Sequence, residues 1–61
     1  MNVWNTVSTT VVAGGAPYVI ETKRNAGETD AQVLDRHFKK VAAFIATLGD
    51  PIEGPITTTL T

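Results

Sequence analysis

A single histidine is the side chain in this sequence best suited to proton chemistry. His37 is the only histidine, and imidazole is the side chain whose ordinary pKa lies closest to neutral pH. It could act as a general base or as a pH sensor at a contact between subunits. The other interpretation is a structural histidine, hydrogen-bonded to a backbone group, to Tyr18, to a threonine or to a carboxylate. We favour the structural interpretation.

Hydroxyl and carboxylate side chains are the next candidates for chemistry. Residues 8–10 read Ser-Thr-Thr, but a nucleophile needs a base and an orienting group, and no G-x-S-x-G context is present. Glu28 and Asp30 could form a carboxylate pair for acid–base work. Their place at a predicted helix start, where negative charge is favourable, explains them without catalysis. We therefore predict no catalytic residue in this region.

The sequence also argues against bound phosphates, metals and cofactors. Gly14-Gly15 lacks the G-K-[ST] sequence of a phosphate loop and precedes a β-rich run, so it indicates a turn. With one histidine and no cysteine, a metal site would need carboxylates or symmetry-related chains to complete it. We predict neither a metal nor a cofactor.

Basic side chains support one alternative function. Five of them could form a patch that doubles in a dimer and reaches nucleic-acid phosphates. However, Glu21 and Asp35 are interleaved with them, and the net charge is −1. A solvated helix face is the favoured explanation, and the element order differs from that of ribbon-helix-helix repressors. The residues of this alternative are Lys23, Arg24, Arg36, Lys39 and Lys40.

The strongest secondary-structure signal covers Thr29 to Leu48. Thr29 and Gln32 have the spacing of a capping box, and Gly49 is expected to end the helix in a left-handed conformation before Pro51. The apolar residues recur at helical spacing and cover about 140° of the surface, with His37 near the middle. The sequence therefore predicts an amphipathic helix with a broad apolar face.

Two β-rich runs precede this helix. Val3 to Ala13 and the run that opens at Pro17 are separated by Gly14-Gly15, which favours a two-residue type I′ hairpin turn. In that register Ala13 is opposite Ala16 and Pro17 is at a pair without hydrogen bonds. The face of the ribbon predicted to cover the helix contains Val7, Val11, Tyr18 and Ile20. On the same reasoning, Trp4 lies on the opposite face.

The predicted fold class is α+β: an antiparallel hairpin followed by one helix, with a possible short C-terminal strand. We divide the chain into a hairpin-plus-helix domain, residues 1–49, and an extended tail, residues 50–61. In the tail, Ile56, Thr58 and Leu60 alternate with threonines, which is typical of a strand. This segment could join its own hairpin, pair with another subunit or remain disordered.

Size and patterning favour self-association. A chain of 61 residues without disulfides is marginally stable as a monomer, and a two-stranded ribbon is too narrow to cover the helix face. We therefore expect a small interaction or structural module acting as a homo-oligomer, with another protein partner possible and nucleic acid a weaker alternative. An enzyme that uses His37 between subunits is the least favoured function. The predicted interface residues are Trp4, Val33, His37, Val41, Phe44 and Leu48.

The expected cellular location follows only from the lack of targeting and membrane signals in this sequence. The segment MNVWNTVSTT has neither a basic region nor an apolar core, so it does not resemble a signal peptide. No apolar run approaches the ~20 residues that span a membrane. A cytoplasmic protein without membrane contact is the expectation.

Overall fold

The computed structural model describes residues 4–61, which form one helix and one three-stranded sheet. The elements follow in the order β1 (Thr6–Ala13), β2 (Ala16–Lys23), α1 (Asp30–Thr47) and β3 (Thr57–Leu60). The spatial order of the strands is β2-β1-β3, and both pairings are antiparallel. The predicted α+β class is confirmed, with the tail supplying the third strand.

The hairpin has the predicted register. Ala13 is paired with Ala16, and Val12 with Pro17. Gly14 and Gly15 both have positive φ, +60° and +77°, as a type I′ turn requires at its two central positions. The prediction started the first run at Val3, which lies outside the described residues; β1 itself begins at Thr6.

The helix begins as predicted but ends differently. Thr29 is the N-cap, and both hydrogen bonds of the capping box with Gln32 are present. The prediction that Gly49 adopts a left-handed conformation is wrong, because Gly49 is not among the glycines with positive φ. Instead Leu48 leaves the helix in an extended conformation, with φ −71° and ψ 133°. This exit lets the Leu48 side chain pack against the core.

The tail returns along the free side of β1. An isolated bridge joins Ala13 to Ile52, and β3 then pairs with the first half of β1, from Thr10 opposite Thr57 to Val7 opposite Leu60. Thr6 and Thr61 continue the ladder, because the backbone N–H of each donates to the carbonyl of the other. The central strand is therefore β1, and the two edges are β2 and β3.

The core lies between one face of the sheet and α1. Every second residue of β1 from Val7 to Ala13 is buried, as the two-residue period of a strand dictates. One cluster joins Val7 to Val33, and a second joins Val11 and Ile20 to Val41. The predicted contact between this ribbon face and the helix is confirmed.

Trp4 is on the other side of the sheet from the one predicted. Its side chain is only 8% exposed and packs in the cluster with Val7 and Val33. The prediction carried the alternation of β1 back through Asn5, but the chain bends at Asn5 and β1 starts only at Thr6. Beyond that bend the parity of the strand no longer assigns a side chain to a face.

Candidate functional site

His37 is enclosed between the helix and the sheet. Its side chain is fully buried, and each ring nitrogen has a threonine partner: Nε2 lies 2.6 Å from Thr9 Oγ1 and Nδ1 lies 2.9 Å from Thr22 Oγ1. Thr9 and Thr22 come from adjacent strands and are themselves buried. A neutral imidazole donates from one nitrogen and accepts at the other, and a hydroxyl can take either part. Both polar ends of the ring are thus satisfied inside the chain.

The hydrogen-bond chain extends from His37 to the last strand. Thr9 Oγ1 also lies 2.9 Å from Thr58 Oγ1, so the hydroxyls of β1 and β3 connect the buried imidazole to an exposed edge strand. The sequence alternation in the tail is the signal that could have placed Thr58 on this face. It could not have indicated the contact with Thr9, which depends on how β3 pairs.

Burial lowers the pKa of His37 below its ordinary value of 6.5, and the positive charge of Lys40 lowers it further. Removing the ring from water penalises the charged form. Near neutral pH the neutral imidazole is therefore favoured. No ligand-sized cavity opens anywhere in residues 4–61, and both ring nitrogens of His37 face threonine hydroxyls.

Arg24 is the most enclosed of the five basic residues, with a side chain 5% exposed. Its guanidinium lies 4.3 Å from the centroid of the Trp4 ring and donates to the backbone carbonyl of Trp4 and to that of Glu28. It also forms an ion pair with Asp30 at 2.6 Å. Sequence reasoning missed this cluster because Trp4 was assigned to the wrong face.

Arg36 and Glu28 form a second ion pair, on the surface. The guanidinium donates to both carboxylate oxygens, at 3.0 and 2.7 Å. These hydrogen bonds from Arg36, followed by one from the Asn25 backbone N–H, lower the pKa of Glu28 to about 2. Glu28 therefore anchors the loop before α1 rather than forming a catalytic pair with Asp30.

The remaining basic residues lie on the exposed surface. Lys39 forms an ion pair with Asp35 at 2.9 Å, one helical turn away. Lys40 Nζ donates to the backbone carbonyl of Glu21 at 2.8 Å. Lys23 is exposed, and its backbone carbonyl accepts from Arg36 at 2.7 Å. Four of the five side chains of the nucleic-acid alternative thus bind partners within the chain.

The predicted interface residues are mostly core residues of the chain itself. Trp4, Val33, His37 and Val41 are buried, so their side chains leave little surface for a partner. Phe44 and Leu48 are partly buried and pack on the second cluster, with the Phe44 ring centroid 5.4 Å from that of Tyr18. These residues are enclosed within the chain because the hairpin covers more of the helix face than we expected from a two-stranded ribbon.

Comparisons with other proteins give no further guide to the site. No known protein family, curated protein or solved structure matches this chain. The described part of the chain contains no helix long and apolar enough to cross a membrane. Among residues 4–61 no three histidine, aspartate or glutamate side chains are grouped as metal ligands would be. The surface has to be interpreted from its own geometry.

The outer edge of β2 is protected against strand pairing at three of its four outward-pointing residues. In this ladder the N–H and C=O groups of residues 17, 19, 21 and 23 point away from β1. Pro17 has no N–H to offer, and the carbonyls of Glu21 and Lys23 accept hydrogen bonds from Lys40 and Arg36. Proline and lysine on an edge are recognised protections against intermolecular pairing.

The outer edge of β3 has none of these protections. Thr61 exchanges hydrogen bonds with Thr6 on β1, so by strand alternation the backbone groups of Thr58 and Leu60 point outward. Residues 56–61 read ITTTLT, without charge or proline. All of Thr57–Leu60 is exposed. The sheet therefore has one protected edge and one edge open to pairing.

Large apolar side chains are exposed at this open edge and on the helix. Leu60 and Ile56 are 48% and 45% exposed, and Phe38 is 49% exposed. Arg36 and Lys40 reach β2, and Phe38 lies roughly 160–200° around the helix from them, on the flank turned toward β3. We call this surface, the β3 edge with Phe38, Ile56 and Leu60, the β3 side.

Proposed function

We propose that this chain is a small non-enzymatic interaction module that works as a homo-oligomer and associates through its β3 side. The observation that carries the proposal is the contrast between the two sheet edges. One edge is protected at Pro17 and by Arg36 and Lys40 at the carbonyls of Lys23 and Glu21, whereas the other exposes strand backbone without these protections, with Ile56 and Leu60 exposed beside it. An exposed apolar edge is a template for pairing with another chain.

The apolar side chains of the β3 side support the same proposal. The other exposed residues of the helix are polar or small. Phe38 is the exception, and about half of the Phe38 surface is exposed to water. Burying such a ring on association removes apolar area from water, which is favourable by about 25 cal/mol per Å². Aromatic residues are also enriched in protein interfaces. Phe38 therefore marks the helical part of the contact.

Sedimentation equilibrium on the purified chain tests this function. We expect reversible association at micromolar concentration, and a folded monomer throughout the range to about 100 μM would overturn the proposal. Phe38→Ser should raise the dissociation constant about tenfold or more, since truncation of an aromatic side chain buried in an interface commonly costs above 1 kcal/mol.

Lys39→Ser is the matched control for Phe38→Ser. Lys39 is the next residue of the same helix but is exposed on the flank away from the sheet, with only Asp35 as its partner. Its replacement should leave the dissociation constant unchanged. Circular dichroism should show that both variants keep the helix, so that a loss of association is not a loss of folding.

A further inference from the structure

We infer that two copies of this chain pair through their β3 strands, antiparallel and centred on Thr58, to form one continuous six-stranded sheet. The inference deepens the proposed function and rests on it: it names the partner and the register of the contact. It starts from the outward-pointing backbone groups of Thr58 and Leu60, which follow from the β1–β3 ladder.

The sequence around Thr58 is self-complementary. Ile56-Thr57-Thr58-Thr59-Leu60 has the same apolar and polar pattern in both directions. With Thr58 opposite the partner's Thr58, Ile56 lies opposite the partner's Leu60, and Leu60 opposite the partner's Ile56. A two-fold contact requires such self-complementarity. An unrelated strand would match this edge only by chance, so a second copy is the occupant favoured.

The hydrogen bonds agree with this register. Within β3 the backbone groups of Thr58 and Leu60 alternate outward, and the register makes Thr58 and the partner's Thr58 a directly bonded pair with two hydrogen bonds. On either side of this pair, Leu60 of each copy lies opposite the partner's Ile56, which directly precedes the strand. A register shifted so that Thr59 lies opposite the partner's Thr59 would place Leu60 opposite Thr58 and leave Ile56 without an apolar partner.

The faces of the sheet agree as well. Thr58 and Leu60 lie on the helix side, opposite Thr9 and Val7 of β1. A two-fold axis perpendicular to the sheet puts both helices on that side, so that the exposed Leu60 of each copy lies between them. Phe38 of each copy then flanks the same apolar strip.

Cysteine cross-linking reads out the register directly, because the natural chain has no cysteine. Directly bonded strand residues have Cα atoms about 5.5 Å apart, within the range of about 4.4–6.8 Å that a disulfide spans. In a glutathione redox buffer, Thr58→Cys should give about tenfold more linked dimer than Thr59→Cys, through its higher effective concentration.

Mixed chains test the flanking pairs. A mixture of Ile56→Cys and Leu60→Cys chains should form the mixed disulfide in preference to either homodimer. Preferential linking of Thr59→Cys, or of the Ile56→Cys and Leu60→Cys homodimers, overturns this register while leaving self-association intact. A monomer by sedimentation, with no cysteine variant linking preferentially, instead removes the proposed function itself.

Backbone substitution tests strand pairing without a disulfide. The Thr58 N–H points outward, so Thr58→Pro removes a donor only from the proposed contact and spares the β1 ladder. It should raise the dissociation constant at least tenfold. Both Thr58→Pro and Thr58→Val lose the hydroxyl contact with Thr9. Thr58→Val keeps the backbone N–H, however, and should associate as the natural chain does. Equal association of the two variants would show that the edge does not pair.

Discussion

Thr9 Oγ1 lies 2.6 Å from Nε2 of His37 and 2.9 Å from Oγ1 of Thr58. One hydroxyl at the centre of the sheet thus links the helix to the last strand. The imidazole completes the arrangement through Thr22. In a core made largely of valines, this polar chain is the directional interaction that ties α1, both hairpin strands and β3 together.

Thr9→Val should lower the free energy of unfolding by about 1–3 kcal/mol, because it leaves a buried His37 nitrogen without its partner. Urea denaturation followed by circular dichroism measures the loss. Thr10→Val is the control: Thr10 is next along the same strand but faces the other side of the sheet. Thr10→Val should therefore change the free energy of unfolding little. Equal losses for the two variants would contradict a role for the Thr9 hydroxyl.

The depressed pKa of His37 makes stability depend on pH in a predictable direction. Because the folded-state pKa lies below the unfolded value of about 6.5, the unfolded chain binds more protons near that pH. Stability is therefore complete above the unfolded pKa and falls as the pH drops below it, until the folded-state pKa is reached. The free energy of unfolding, measured from about pH 7.5 to pH 5.5, should decrease.

His37→Gln should flatten this pH dependence. Glutamine keeps one donor and one acceptor but does not titrate, and the chain has no other histidine. The variant should be less stable at neutral pH and lose less on acidification. A natural chain whose stability stays level or rises over the same range would rule out a buried neutral imidazole.

Glu28 makes the free energy of unfolding depend on pH in a lower, acidic range. Its folded pKa of about 2 lies below the ordinary value of 4.5, so the stabilisation it brings is complete above about pH 4.5 and is lost as the pH falls toward 2. Glu28→Gln should reduce stability at neutral pH, and the difference from the natural chain should shrink on acidification. Thermal unfolding of both chains at several pH values measures this difference in stability.

Asp35→Asn is the control for Glu28→Gln. Asp35 also has a basic partner, Lys39, but both side chains are largely exposed, and such pairs contribute little to stability. The effect of Asp35→Asn on the free energy of unfolding should be small. If Asp35→Asn cost as much as Glu28→Gln, the paired contact of Glu28 with Arg36 and Asn25 would not be the cause.

Arg24→Lys tests the cluster around Trp4. Lysine keeps the charge but lacks the planar group that lies over the indole ring and donates to two carbonyls and to Asp30. We expect a loss of about 1–2 kcal/mol in unfolding free energy and a change in the fluorescence of the only tryptophan. Lys23→Arg, at an exposed neighbouring position, should alter neither quantity.

Local signals in the sequence predicted the elements well. The turn at Gly14-Gly15, the cap at Thr29 and the pairing of Val12 with Pro17 all depend on residues close along the chain or on one hairpin register. The failures occur where a local rule was extended beyond its element. The alternation of β1 did not continue to Trp4, and Gly49 did not adopt the left-handed cap because Leu48 turned out of the helix first.

By itself, then, the sequence determined the hairpin, its register, the helix start and the apolar face with His37 at its centre, since periodicity and turn chemistry act over short separations. The tertiary structure decided what each surface faces. Only the pairing of β3 with β1 brings Thr58 to Thr9, and only the packing of α1 directs Lys40 and Arg36 to the β2 edge. These contacts join residues 13 to 49 positions apart, and no local pattern specifies them.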